Sequence, residues 1–191
     1  PDHPALTSGA LSAVTITSTA ITVLRAGALT TIQDWPGRIG YWKVGVPPSG
    51  PMDDLSFTLA NTAVGNAPGA PGLEATLHGP RLRFAGAATI CVTGAPALVT
   101  VDGAPIAMWE PIDIAAGATV DIGMPEDAGL RTYLAVRGGI DAPRYHGSAS
   151  TFTLGGFGGV TGKALVDGDV LGIDATTASG PPQAVPVAQR P

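Results

Sequence analysis

Cysteine is nearly absent from this sequence. Cys91 stands alone, so no disulfide can form within the chain, and a reducing, cytoplasmic compartment is the simpler expectation. Its apolar setting, ATICVTG, has no His close by in sequence and reads as a buried structural thiol rather than a nucleophile. Charge is also scarce. Charged residues make up 13% of the chain, the ten basic ones are scattered, and the net charge is −5, which leaves no nucleic-acid footprint. No apolar run approaches membrane-spanning length, and the N-terminus lacks the basic-then-apolar order of a signal peptide. The three histidines, at 3, 78 and 146, lie far apart, so a metal site is not expected. The stretch LGGFGGVTGK ends in Gly-Lys, but its glycine spacing and Ala164 do not fit a Walker A loop.

What is plentiful is glycine (27) and proline (18), without a fixed period, among 45% apolar residues. That composition suits many short strands joined by turns. Residues 1–19 read as an N-terminal tail, residues 20–173 as the folded region, and residues 174–191, DATTASGPPQAVPVAQRP, as an Ala/Pro-rich linker or tail. Within the folded region, ITVLRAG, LTTIQDW, LEATLHG, RLRFAG, ATICVTG, ALVTVDG, TVDIG and RTYLAVRGG are short and rich in Val, Ile, Thr or Leu. Each closes near a turn-forming residue. Asp102-Gly103 and Asp167-Gly168 carry hairpin signals. A barrel or sandwich is expected rather than a parallel sheet.

One segment breaks this pattern. Between Trp35 and Asn66 the chain gathers two of its three Trp, one of its three Tyr and four Pro. SGPMDDLSFTLANTAVGN then reads as the principal helix, about 51–64. Pro51 would sit at its first position, Ser49 or Gly50 at the N-cap, and Asp53 and Asp54 in the first turn. Leu55, Leu59 and Ala63 fall at spacing four with Ala60 and Val64 beside them, and Gly65 and Asn66 form the stop. A helix start reached through the stiff VGVPPSGP offers N–H donors to an anion or carbonyl oxygen. Equally, the prolines can simply shape a turn while Asp53 caps its own helix.

The stretch TTIQDWPGRIGYWKVGVPPSGPMDDLSFTLANTAVGN, followed in order by GLEATLHGPRLRF, TGAPALVTVDGAPI, RTYLAVRGGIDAP and GSASTFTLGGFGGVTGKALVDGDVL, resembles the carboxyltransferase domain of biotin-dependent urea carboxylase and urea amidolyase. More broadly it resembles the allophanate hydrolase subunit 2 family, which includes a 5-oxoprolinase subunit. The resemblance covers about residues 21–173. It implies a mostly β, cyclophilin-like, barrel-type fold and the first half only of the subunit 2-like region. The activity it implies is transfer of a carboxyl group from carboxybiotin to urea or a urea-like amide. An allophanate hydrolase-like or 5-oxoprolinase-like complex, or an inactive scaffold, are the alternatives. The implied partners are the second half, a subunit 1-like protein, and biotin carrier and biotin carboxylase domains. Only Lys43 and Lys163 are present and neither sits in a Met-Lys-Met setting, so biotin would be carried elsewhere and ATP used only by a partner domain.

Binding candidates within these motifs are Gln33, Asp34, Arg38, Ser49, Gly50, Asp53, Arg137, Ser148, Ser150, Thr151 and Lys163. Pro51, Asn61, Gly65 and Asn66 are read as helix-end structure. Arg38, in a Trp-Pro-Gly-Arg turn, suits a carboxylate clamp or a structural Arg stacked on Trp35 or Tyr41. Trp35 and Trp42 are expected to pack rather than to form a biotin platform. The chain also departs from the family pattern. GSAST has Ala149 where the family usually has Arg, and GGVTGK places Val160, Thr161 and Lys163 where His, Gln and Arg are usual.

Overall fold

The computed structural model describes residues 20–174 and 178–191, so the expected N-terminal tail lies outside the described residues. Among the described residues the short alternating runs form twelve strands, all paired antiparallel, and there is one α-helix. The strands are β1 (Ile21–Arg25), β2 (Leu29–Gln33), β3 (Gly72–Thr76), β4 (Arg81–Phe84), β5 (Ala88–Gly94), β6 (Ala97–Val101), β7 (Ala104–Ile106), β8 (Ile112–Ile114), β9 (Thr119–Pro125), β10 (Arg131–Val136), β11 (Ile140–Asp141) and β12 (Val170–Ile173). A seven-stranded sheet runs β11-β12-β1-β4-β9-β6-β7 and a five-stranded sheet runs β2-β3-β10-β5-β8. The two share one apolar cluster, in which Ile21, Val23, Leu82, Phe84 and Val120 of the first sheet meet Ile32, Leu73, Ile90, Val92 and Leu134 of the second. This is the mostly β, barrel-type arrangement the turn spacing calls for.

Period-two alternation decides which side chains reach that core. On β10, Leu134 and Val136 join the cluster, while Tyr133, one residue before Leu134, meets Phe57 edge to face at 6.0 Å on the opposite side of the sheet. The Asp102-Gly103 hairpin joins β6 to β7, and both its residues have positive φ (50° and 84°), as a tight two-residue turn requires. Asp167-Gly168 also turns the chain, but only its second arm is a strand. On its first arm the Leu165 N–H bonds to the Thr30 carbonyl at 2.8 Å.

Helix α1 (Asp54–Ala63) lies on the outer face of the five-stranded sheet, packed against β3, β5 and β10. Its start differs from the expected one. Asp53 is the N-cap, its carboxylate accepting the Ser56 N–H at 2.9 Å, so Pro51 lies three residues ahead of the first helical residue. The buried face also differs: Ser56, Phe57, Ala60, Asn61 and Ala63 point inward, whereas Leu55 is 48% exposed. Burying Phe57 contributes about 1.5–3 kcal/mol, and the Thr93 hydroxyl donates to the Ser56 carbonyl at 2.8 Å beneath it.

The C-terminal segment, expected as a linker or tail, crosses this helix in residues 178–191. Val185 is buried in a second cluster with Ala60, Ala63, Val64, Cys91 and Ala135. The Gln183 N–H donates to Ala63, and the Val185 N–H to Trp109.

Candidate functional site

The segment after β2 and the loops at 144–162 meet at one end of the five-stranded sheet. Asp34, at the end of β2, organises them. Its Oδ1 accepts the Ser148 hydroxyl at 2.5 Å, the Ser150 hydroxyl at 2.6 Å and the Ser150 N–H at 3.1 Å. Its Oδ2 accepts the Ala149 N–H at 2.9 Å and the Arg144 guanidinium at 3.1 Å. Asp34 is 3% exposed, so these donors replace the water its carboxylate has lost. Thr151 extends the same seam, its N–H donating to the Ile32 carbonyl at 2.9 Å. The Gln33 side chain bridges Thr31 and Thr151 and accepts the Gly50 N–H at 3.0 Å.

Arg38 completes this frame. It has no exposed surface. Its Nε donates to the Tyr145 carbonyl at 2.8 Å, and its Nη2 to the Ser150 carbonyl at 2.8 Å and the Ser148 carbonyl at 3.4 Å. Its Nη1 has no hydrogen-bond partner among the described residues. The guanidinium lies over Phe157 at 4.9 Å and Tyr145 at 5.8 Å, rather than over Trp35 or Tyr41. Burial lowers its pKa, with Asp34 pulling the other way. This geometry is that of a brace: one planar fork fixes three carbonyls of a single turn.

The Trp35–Ser49 connection is pinned to that frame. The Arg38 N–H donates to the Pro48 carbonyl at 2.5 Å, and Trp35–Pro36 is a cis peptide. Ser49 holds φ +58° with a buried hydroxyl that has no hydrogen-bond partner among the described residues. Around the helix start three backbone donors are already taken. Glu74 accepts the Met52 N–H at 2.7 Å, Tyr133 the Asp53 N–H at 2.9 Å, and Asp53 the N–H and hydroxyl of Ser56. Burial, with Glu74 alongside, pushes the Tyr133 phenol pKa upward.

The remaining candidates lie in other neighbourhoods. Arg137 donates from Nη1 to the Val64 and Gly180 carbonyls, both at 2.7 Å, tying the helix C-terminus to the C-terminal segment. Asn61 donates to Ala70 at 3.0 Å, and Asn66 donates to Asn61 at 3.0 Å and Val136 at 2.8 Å. Gly65 has φ +78°, and a Cβ there would collide with the Gly180 carbonyl. Lys163 is exposed.

Beside the frame is a cavity of about 320 Å³. Arg144, Tyr145, Phe157, Val160 and Thr161 line it together with the Gly156–Gly162 backbone. Gly158 has φ +77°, and any side chain there would strike the Ser150 carbonyl. Two of the departing positions, Val160 and Thr161, therefore face this cavity, whereas Ala149 is fully buried. The sequence reading missed Arg144 and Tyr145, which join frame to cavity. They directly follow IDAP and precede His146-Gly147-Ser148, and that adjacency was the available signal. Among the described residues there is no group of three metal-ligating side chains, and no helix is long and apolar enough to cross a membrane.

Comparison with known proteins follows the same lines. Residues 44–191 match the family described as carboxyltransferase domain, subdomain A and B. The chain is 52% identical over 153 residues to the urea amidolyase of Saccharomyces cerevisiae, covering 80% of this chain and 8% of that protein. It is 38% identical over 151 residues to a 5-oxoprolinase subunit of Escherichia coli, covering 79% of this chain and 48% of that one. The solved Kluyveromyces lactis urea carboxylase superposes with a TM-score of 0.87 at 46% identity, covering 91% of this chain and 16% of that structure.

Proposed function

This chain belongs to the carboxyltransferase-domain family, subdomain A and B, and from that premise we propose that it forms part of a biotin-dependent carboxyltransferase acting on urea or a urea-like amide. The observation that carries the reading is the gap between 52% identity to a urea amidolyase and 38% to a 5-oxoprolinase subunit over nearly the same span. The partners in this reading are the second half of the region, a subunit 1-like protein, and biotin carrier and biotin carboxylase domains, with ATP used on the last.

The biotin group would arrive from its carrier, because neither Lys43 nor Lys163 has the sequence setting for attachment. The cavity lining fits its head group: Tyr145 offers an aromatic ring, Arg144 a guanidinium, and Gly156, Gly158, Gly159 and Gly162 bare backbone between the Phe157, Val160 and Thr161 side chains. Bound there, carboxybiotin would supply an activated carboxyl group, and a cationic donor beside its ureido oxygen would favour that group's transfer. Arg144 is held as such a donor by Asp34 at 3.1 Å and the Gly147 carbonyl at 3.2 Å, while its side chain stays 54% exposed. Asp34 and Arg38 do not touch a ligand in this reading. They hold the 144–150 turn so that Arg144 and Tyr145 keep their places.

The Val160 and Thr161 departures favour a second reading, an allophanate hydrolase-like or 5-oxoprolinase-like complex, since the cavity wall has lost polar reach. An inactive scaffold is the third. The test is an assay of the intact natural enzyme with ATP, bicarbonate and urea, beside this 191-residue chain alone. The expected result is allophanate from the intact enzyme and none from the chain, which has no biotinyl Lys and no ATP loop. ATP-dependent opening of 5-oxoproline without allophanate would select the second reading. Turnover by the chain alone would defeat the shared-site proposal.

A further inference from the structure

The connection that fixes the frame presents its own large side chains to solvent. Trp35 is 44% exposed, Ile39 63%, Trp42 68%, Val44 73%, Met52 70% and Leu55 48%. The sequence led us to expect the two Trp to pack, and here they do not. Six large apolar side chains exposed within one connection are more than the scattered singles of ordinary surface composition and mark an interaction surface. Between residues 35 and 55 the charged residues are Arg38, which is buried, Lys43, and the helix-start pair Asp53 and Asp54. Aromatic and Met enrichment is the composition of an interface core.

The surface is also rigid before any partner arrives. Residues 42–44 form a 3-10 turn, closed by the Gly45 N–H to the Trp42 carbonyl at 3.0 Å and the Val46 N–H to the Tyr41 carbonyl at 3.2 Å. Tyr41 stacks on His146 at 4.3 Å, and His146 meets Tyr145 at 4.2 Å. The connection is thereby seated against the turn that carries Arg144 and Tyr145. Because little ordering entropy remains to be lost, such a surface binds at lower cost.

We propose that the exposed face of the 35–55 connection docks the second half of the carboxyltransferase region and thereby brings that half up to the Arg144–Tyr145 cavity. This rests on the family reading given above. The choice of occupant comes from length: the matched residues make up 48% of the E. coli 5-oxoprolinase subunit, so about as much polypeptide again is joined to the counterpart of this chain. A tethered neighbour is present at millimolar effective concentration, and it meets an apolar face that a solitary domain would leave wet.

The experiment is hydroxyl-radical footprinting of Trp35, Trp42 and Met52, in this chain and in the natural polypeptide cloned with its adjoining coding sequence. The expected result is strong labelling of all three in the chain and their protection in the natural polypeptide. A Trp42→Asp, Val44→Asp variant should leave the thermal midpoint of the chain unchanged. In the natural polypeptide it should restore labelling of Trp35 and Met52 to the level of the isolated chain.

Equal labelling in both proteins would overturn the proposal. So would protection in the isolated chain that grows with concentration, which would assign the face to a second copy. Protection that appears only with a biotinylated carrier, or a natural polypeptide and complex lacking any second half, would overturn it as well. Protection without allophanate formation would leave this surface standing and sink the proposed reaction. Allophanate formation with Trp42 still labelled would do the reverse.

Discussion

Replacing Arg38 with Met separates a brace from a ligand clamp. Methionine keeps most of the buried stem and removes the guanidinium. Two hydrogen bonds at 2.8 Å from a charged donor are lost, each worth about 1.5–3 kcal/mol. The third, at 3.4 Å, contributes less, and contact with the Phe157 ring at 4.9 Å adds about 1 kcal/mol. Two effects offset this. The buried cation has lost its hydration, which is also what lowers its pKa, and Nη1 has no partner among the described residues. Against that relief, the Ser148 and Ser150 carbonyls are left buried without this donor. The net is about 3–5 kcal/mol, the two charge-assisted bonds and the ring contact less the relief of no longer burying a cation. For a chain of this size it corresponds to a fall in thermal midpoint of roughly 6–20 °C. Arg38→Lys keeps the charge but not the fork, and should fall between parent and Arg38→Met. Guanidinium chloride unfolding followed by Trp fluorescence reads the midpoint and slope. A loss under about 1 kcal/mol, together with abolished activity per folded molecule of the intact enzyme, would refute the brace and restore the clamp.

Asp34→Asn should destabilise the chain by about 2–4 kcal/mol, because an amide N–H₂ in place of Oδ2 would face the Ala149 N–H and Arg144, both donors. Denaturant midpoints check it, and a variant within about 0.5 kcal/mol of the parent would show that the carboxylate does not hold the turn. The Cys91 thiol is pushed up to about 12 by burial, so above its unfolded pKa the folded state binds the extra proton. Stability should therefore be fully present below about pH 8.5 and decline as pH rises toward 12. Tyr133 acts in the same direction, its phenol also raised by burial. A pH series of unfolding midpoints tests this, and Cys91→Ala should flatten the decline; an identical slope in that variant would remove Cys91 as its cause.

Local rules in the sequence determined the strand-rich class, the Asp102-Gly103 hairpin and the existence of one helix within about 51–64. Alternation, turn chemistry and helix-stop residues act over a few positions and are legible there. The motifs also carried the family and most of the polar residues of the frame. Which of those residues face a ligand was not legible. Asp34 meets Ser150 across 116 positions and Arg38 meets Tyr145 across 107, so nothing within their own motifs says that their donors and acceptors are consumed by backbone. The same holds for the helix start, where Glu74 and Tyr133 arrive from β3 and β10 to take N–H groups that the sequence left open for an anion. The apolar connection shows the opposite outcome: its Trp and Met side chains look like core by composition, yet they remain at the surface. Burial is decided by which distant strands cover a residue, and that is a property of the assembled sheets rather than of any short stretch of sequence.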